Sequence, residues 1–214
     1  MKGLFKNCWT IPNLLTVIRV FLAPVFAYLF LNEKYIWAVA VLFFSGLSDF
    51  LDGKIARAFN QVSELGKVLD PVADKITQIT LAVLLFIKFN GSSNKMLIAY
   101  SWIFLVFLIK EVIMVIGGGV LLLMNLRPSP AVVYGKIATF VFYAVMILLI
   151  AFAPEFGAFR EIWEMNAVLL IILVAVSAIL TIVAFLSYLP GTIKQFKTKE
   201  NPVPKVKNEN GEKT

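Results

Sequence analysis

Six long apolar runs organise the chain, at 11–31, 35–51, 70–89, 96–124, 134–153 and 163–189 of its 214 residues. A helix rises about 1.5 Å per residue, so about 20 apolar residues cross the hydrocarbon of a bilayer. The run at 35–51 reaches that length only if its helix continues through Asp52 to about Phe59. The runs are too long for barrel strands and lack a two-residue alternation, which leaves helices as the spanning solution. The expected fold is therefore an all-α integral membrane protein with six transmembrane helices. It occupies residues 1–190, and a basic, disordered cytoplasmic tail follows at 191–214.

Composition narrows the chemistry. Hydrophobic residues make up 60% of the chain and charged ones 15%, against about 45–50% and about 25% in a soluble domain. Mean hydropathy is +0.86. A soluble core of this size could not bury that much apolar surface, and disorder is excluded for the same reason. Cys8 is the one cysteine, so neither an intrachain disulfide nor a thiolate cluster can form. The chain has no histidine, which removes Ser-His and Cys-His catalysis and imidazole metal ligation. Acid-base or metal chemistry must rest on carboxylates.

The cations assign the sides. With six spans, Lys2, Lys6, Lys54, Arg57, Lys67, Arg127, Lys136 and the tail lysines share one face. Lys34, Lys88, Lys95 and Arg160 fall on the other. Excess Lys and Arg marks the cytoplasmic face, which puts both termini and the 54–67 connection in the cytoplasm of a multi-pass cell-membrane protein. Trp9, Trp37, Trp102 and Trp163 sit near run ends, as interfacial anchors do. The first run follows lysines, as a signal peptide would. It is too long for an h-region and lacks a small-residue cleavage site, so it reads as a span. Residues 190–214 hold six lysines and three glutamates, a solvated or lipid-attracted tail. Membrane lipids are expected partners and nucleic acid is not.

The four aspartates of the chain, Asp49, Asp52, Asp70 and Asp74, all lie at the end of the second run and the start of the third. Asp49 and Asp52 are spaced i, i+3, and Asp70 and Asp74 i, i+4, so each pair shares a helix face. Antiparallel neighbours would bring the pairs together at the membrane boundary. Four bare carboxylates there repel one another and are costly to desolvate. Divalent cations remove the conflict, and oxygen-only ligands suit Mg²⁺ or Mn²⁺. Phosphoryl chemistry uses such sites. Taken singly, Asp70 before Pro71 reads equally as a helix N-cap, and Asp49 as an interfacial residue. A cation transporter is the reading from a different class, since intramembrane carboxylates also mark ion paths. Clustering at one face, with Gly53, Ala56 and Arg57 at set offsets, argues for phosphate chemistry. The small residues admit a close nucleotide, and the Arg57 fork suits a phosphate.

The segment Asp49-Phe50-Leu51-Asp52-Gly53-Lys54-Ile55-Ala56-Arg57, with Gly66, Asp70 and Asp74 beyond it, matches D-x2-D-G-x2-A-R-x8-G-x3-D-x3-D. On that signature the chain resembles the CDP-alcohol phosphotransferase family. The resemblance implies a cytoplasm-facing site in which CMP is displaced from a CDP-linked alcohol by a second alcohol, with Mg²⁺ or Mn²⁺ as two ions. It implies that Asp49, Asp52, Asp70 and Asp74 ligate the metals and that Asp74 also acts as general base on the incoming hydroxyl. Gly53, Ala56, Arg57 and Gly66 would hold the nucleotide. Homodimers are usual in the family.

Leu69-Asp70-Pro71-Val72-Ala73-Asp74-Lys75, and Ile11-Pro12-Asn13-Leu14-Leu15-Thr16-Val17-Ile18-Arg19 followed by Pro24, resemble the forms seen in phosphatidylglycerophosphate synthases and cardiolipin synthases of the family. The donor implied is CDP-diacylglycerol. The acceptor implied first is glycerol 3-phosphate, held by Lys75, Lys110, Arg127 and Lys136; the alternative is phosphatidylglycerol. Lys110-Glu111 stands inside an apolar run, where ionisable residues are rare. Gly118 and Ala138 stand where phosphatidylglycerophosphate synthases tend to carry a second arginine and a second lysine, and both weigh against that acceptor.

Overall fold

A computed structural model describes residues 10–59, 63, 66–124 and 133–200. The side chains at 50, 52, 53, 56–58, 67, 68, 122, 123, 133, 134 and 194–200 lie outside that description. The helices are α1 Ile11–Leu31, α2 Tyr35–Ala58, α3 Gly66–Asn90, α4 Lys95–Tyr100, α5 Trp102–Leu123, α6 Val133–Phe152 and α7 Ala167–Glu200. No strand occurs among the described residues.

Four helical stretches are long and apolar enough to cross a membrane: Ile11–Leu31, Lys95–Leu121, Gly135–Phe152 and Ala167–Ile193. The α2 helix has a shorter apolar stretch, Tyr35–Asp49, and α3 carries Asp70, Asp74, Lys75 and Lys88 along its length.

Local chemistry explains the ends. Thr10 caps α1, its hydroxyl accepting from the Asn13 amide at 3.3 Å, with Pro12 in the first turn where no amide is needed. Between α1 and α2, Glu33 takes a left-handed φ of 58° and the Lys34 amide donates to the Leu29 carbonyl at 2.9 Å. This tight reversal makes the two helices antiparallel neighbours.

Three details of the helix ends stand out. Asp70 is not an N-cap: α3 starts at Gly66, and Asp70-Pro71 lies beyond its first turn. The run at 96–124 is interrupted for one residue, at Ser101 between α4 and α5, where the backbone stays right-handed helical and the hydroxyl donates to the Ile98 carbonyl at 2.7 Å. The helix before the tail does not stop at Pro190; α7 continues to Glu200, while 201–214 lie outside the described residues.

The α1 helix packs on α2 and α3, α3 on α5, α6 on α7, and α2 and α5 close the bundle against α6 and α7. The shared core contains Phe30, Leu42, Leu85, Phe104, Met146 and Phe156. Edge-on rings reinforce it, with Phe89–Phe104 at 4.9 Å and Phe107–Phe142 at 5.1 Å. Outside the core, Phe21, Phe44, Ile109, Ile116, Phe140 and Ile179 face outward, a surface suited to lipid rather than water. Trp37, Trp102 and Trp163 are exposed, at or just before the starts of α2, α5 and α7.

Candidate active site

One face of α1 changes character along its length. Its C-terminal half buries Ala23, Phe26 and Phe30, and its N-terminal half buries Asn13, Thr16 and Arg19 at three-residue intervals. Those polar residues meet the aspartate-bearing helices. Arg19, 1% exposed, donates from one terminal nitrogen to Asp49 Oδ1 on α2 and to Asp74 Oδ1 on α3, the latter at 2.8 Å. Thr16 Oγ1 lies 2.5 Å from Asp70 Oδ1 and 3.0 Å from the Pro12 carbonyl. Its single proton favours the carboxylate, the stronger acceptor.

Next to this cluster, Ser63 donates to Asn13 Oδ1 at 2.8 Å and accepts from the Gly66 amide at 2.9 Å. A Cβ on Gly66 would lie 2.5 Å from Asn13 Oδ1. Gly66 is therefore demanded by packing, whatever it also does for a nucleotide.

Asp49 and Asp74 thus meet at Arg19, while Asp70 bonds to Thr16, one turn earlier on α1. The side chains of Asp52, Gly53, Ala56 and Arg57 fall outside the described residues, on α2 in the turns after Asp49. The Asp49 and Asp74 side chains remain 39% and 28% exposed. Two carboxylates from different helices already share one cationic nitrogen, and all the donors are hard oxygens. That set fits a hard divalent cation, although no group of three or more metal-ligating side chains is formed among the described residues.

Beyond Asp74, the next turn of α3 faces a cleft between α3, α5, α6 and α7, lined by Lys75, Gln78, Lys110, Glu111, Thr139 and Tyr188 among others. Lys75 and Lys110 both pair with Glu111, which is 3% exposed. Gln78, with its amide nitrogen turned inward, donates to the same carboxylate, at 3.2 Å to Oε2. Of the residues expected to hold the acceptor, the fold joins Lys75 and Lys110. Lys136 stands exposed on α6 while its neighbours Gly135 and Ala138 line the cleft. Arg127 lies outside the described residues.

Residue types alone missed the roles of Asn13, Thr16 and Arg19. Their signal was the i, i+3, i+6 spacing of polar residues within an apolar run, which places them on one helix face.

Comparison with known proteins gives the class to which this helical bundle belongs. The family model for CDP-alcohol phosphatidyltransferase matches residues 9–183, and the chain belongs to that family. It is similar to a CDP-diacylglycerol–glycerol-3-phosphate 3-phosphatidyltransferase of Aquifex aeolicus (strain VF5), 33% identical over 87% of this chain and 96% of the relative. It is also similar to a CMP-forming cardiolipin synthase of Streptomyces coelicolor, 36% identical over 66% of each chain. A CMP-forming cardiolipin synthase of Homo sapiens is 52% identical over 35% of this chain and 25% of its own. No solved structure matches the chain significantly.

Proposed function

We propose that the protein transfers the phosphatidyl group of CDP-diacylglycerol to glycerol 3-phosphate, releasing CMP and forming phosphatidylglycerophosphate. The observation that carries this reading is similarity over 96% of a relative named for this reaction; Lys75, next to Asp74, and Lys110 line a cleft beside the aspartates. An anionic acceptor held there presents its hydroxyl to Asp74, the general base.

Asp49, Asp52, Asp70 and Asp74 would hold Mg²⁺ or Mn²⁺, as two ions. When bound, they supply neutralisation of the diphosphate and of departing CMP. Arg19 and Thr16 hold the carboxylates in register; Gly53, Ala56, Arg57 and Gly66 receive the nucleotide. In the membrane, α2 and α3 complete six spans, with both termini and the aspartate end cytoplasmic, in the homodimer usual for the family.

A second reading, cardiolipin synthesis from phosphatidylglycerol, is favoured by higher identity over shorter stretches. Gly118, whose Cβ position is open, also offers no second cation. Purified protein given CDP-diacylglycerol, Mg²⁺ and each acceptor separately decides between them. Phosphatidylglycerophosphate as the product upholds the first reading; cardiolipin from phosphatidylglycerol, with glycerol 3-phosphate ignored, replaces it with the second.

A further inference from the structure

We propose that Glu111 is a counter-anion built into the acceptor cleft, competing with the acceptor's phosphate for Lys75 and Lys110. It thereby limits how strongly the cleft prefers a phosphomonoester over a phosphodiester. The inference rests on the reading that the acceptor's anionic group enters this cleft.

Both Glu111 oxygens are engaged, Oε1 by Lys110 and Oε2 by Lys75, and the carboxylate is almost completely buried. Among the described residues, the charged ones lining the cleft are these two lysines and this one glutamate, a net charge of +1. A phosphodiester carries one negative charge and balances the cleft. A phosphomonoester carries nearly two at neutral pH, since its second pKa is about 6, and leaves an uncompensated charge in a partly dry site.

Transfer gives this arrangement a use. The hydroxyl of glycerol 3-phosphate reacts and its phosphomonoester is carried unchanged into the product. A cleft of charge +2 would hold product as tightly as substrate, and uniform binding of that kind does not accelerate the chemistry. Glu111 keeps ground-state affinity low enough for release.

Charge arithmetic supplies the test. Counted over the described lining residues, the wild-type cleft is +1, E111Q +2, K110Q zero, and K110Q/E111Q +1 again. The probes are glycerol 3-phosphate, a phosphomonoester, and glycerophosphoglycerol, a phosphodiester. Their binding is measured at equilibrium to the full chain in nanodiscs without CDP-diacylglycerol. E111Q is expected to tighten glycerol 3-phosphate about 10-fold, the scale of one charge-assisted interaction, and the phosphodiester by clearly less. K110Q should shift the ratio the opposite way, and K110Q/E111Q should return it to the wild-type value. E111D, which keeps the charge, should leave the ratio unchanged.

A loss of protein through misfolding would lower binding of both probes together and leave their ratio alone. If E111Q does not fold, K110Q against K110Q/E111Q carries the same comparison. An unchanged ratio across the folded variants overturns the proposal, as does binding of neither probe to any of them. If turnover shows phosphatidylglycerol to be the acceptor, the proposed function fails while the ratio still decides the role of Glu111.

Discussion

Arg19 is the residue around which the aspartates are organised. It is buried in α1, and its one terminal nitrogen serves Asp49 and Asp74 from two other helices. Arg19 is buried but its two carboxylates are partly exposed, so losing it costs less than the ~3–5 kcal/mol of a fully buried pair. Arg19→Gln should therefore lower the thermal midpoint of the purified protein in EDTA, and Arg19→Lys, which keeps the charge and loses the fork, should lower it less. Added Mn²⁺ should recover part of the loss, because a divalent ion can take over the neutralisation; no recovery would argue against a shared cation site. For turnover, Asn in place of Asp49, Asp52, Asp70 or Asp74 should each cut the rate by at least about 100-fold, the scale of a lost acid-base or charge-stabilising group. EDTA should abolish activity and Mg²⁺ or Mn²⁺ restore it. Near-normal rates in two of the four variants would sink the shared site. The aspartates were legible in the sequence because charge is rare in apolar runs and their spacing maps directly onto helix faces. Arg19 was not, since an arginine near a span end snorkels as readily as it pairs.

At the scale of elements, helix contacts depend on single atoms that no periodicity reveals. Gly135 on α6 faces Tyr188 on α7, and a Cβ there would lie 2.3 Å from the tyrosine hydroxyl. Gly135→Ala should therefore push the partly exposed Tyr188 ring aside and destabilise the α6–α7 pair by less than the ~1–3 kcal/mol of core overpacking. Removing the hydroxyl in Gly135→Ala/Tyr188→Phe should restore most of the midpoint; without restoration the clash is not the cause. Helix extents followed apolar runs where composition changed abruptly, as at Ile11–Leu31. They departed from them where one residue acted alone. At Ser101 the helix is interrupted for one residue whose backbone stays right-handed helical, and Pro190 fails to end α7.

For the whole molecule, the two ends of the bundle differ in kind. One end holds Arg19 with Asp49 and Asp74, and Thr16 with Asp70. At the other end, Lys88 pairs with Glu33 at 3.1 Å and Ser92 donates to Glu155 at 2.7 Å, beside a cluster of rings that includes Phe30, Tyr35 and Phe156. In a Cys8→Ser background, cysteines placed at Val62 and Lys199 should react only with reagent reaching the cytoplasm, and those at Ser92 and Phe156 only from outside. A tail labelled from outside in intact cells would reverse the orientation. Helical class, membrane solvent and the carboxylate signature were determined by the sequence alone. Hydropathy and charge spacing act within one helix or against a uniform solvent, so they need no partner to be read. Which cation meets which carboxylate was decided only by tertiary structure. Arg19 is 55 residues from Asp74, and Lys75 is 36 from Glu111. Such pairs exist because packing fixes the rotation of each helix about its axis. That rotation results from the fit of all the side chains together, a property of the assembled bundle and of no single segment.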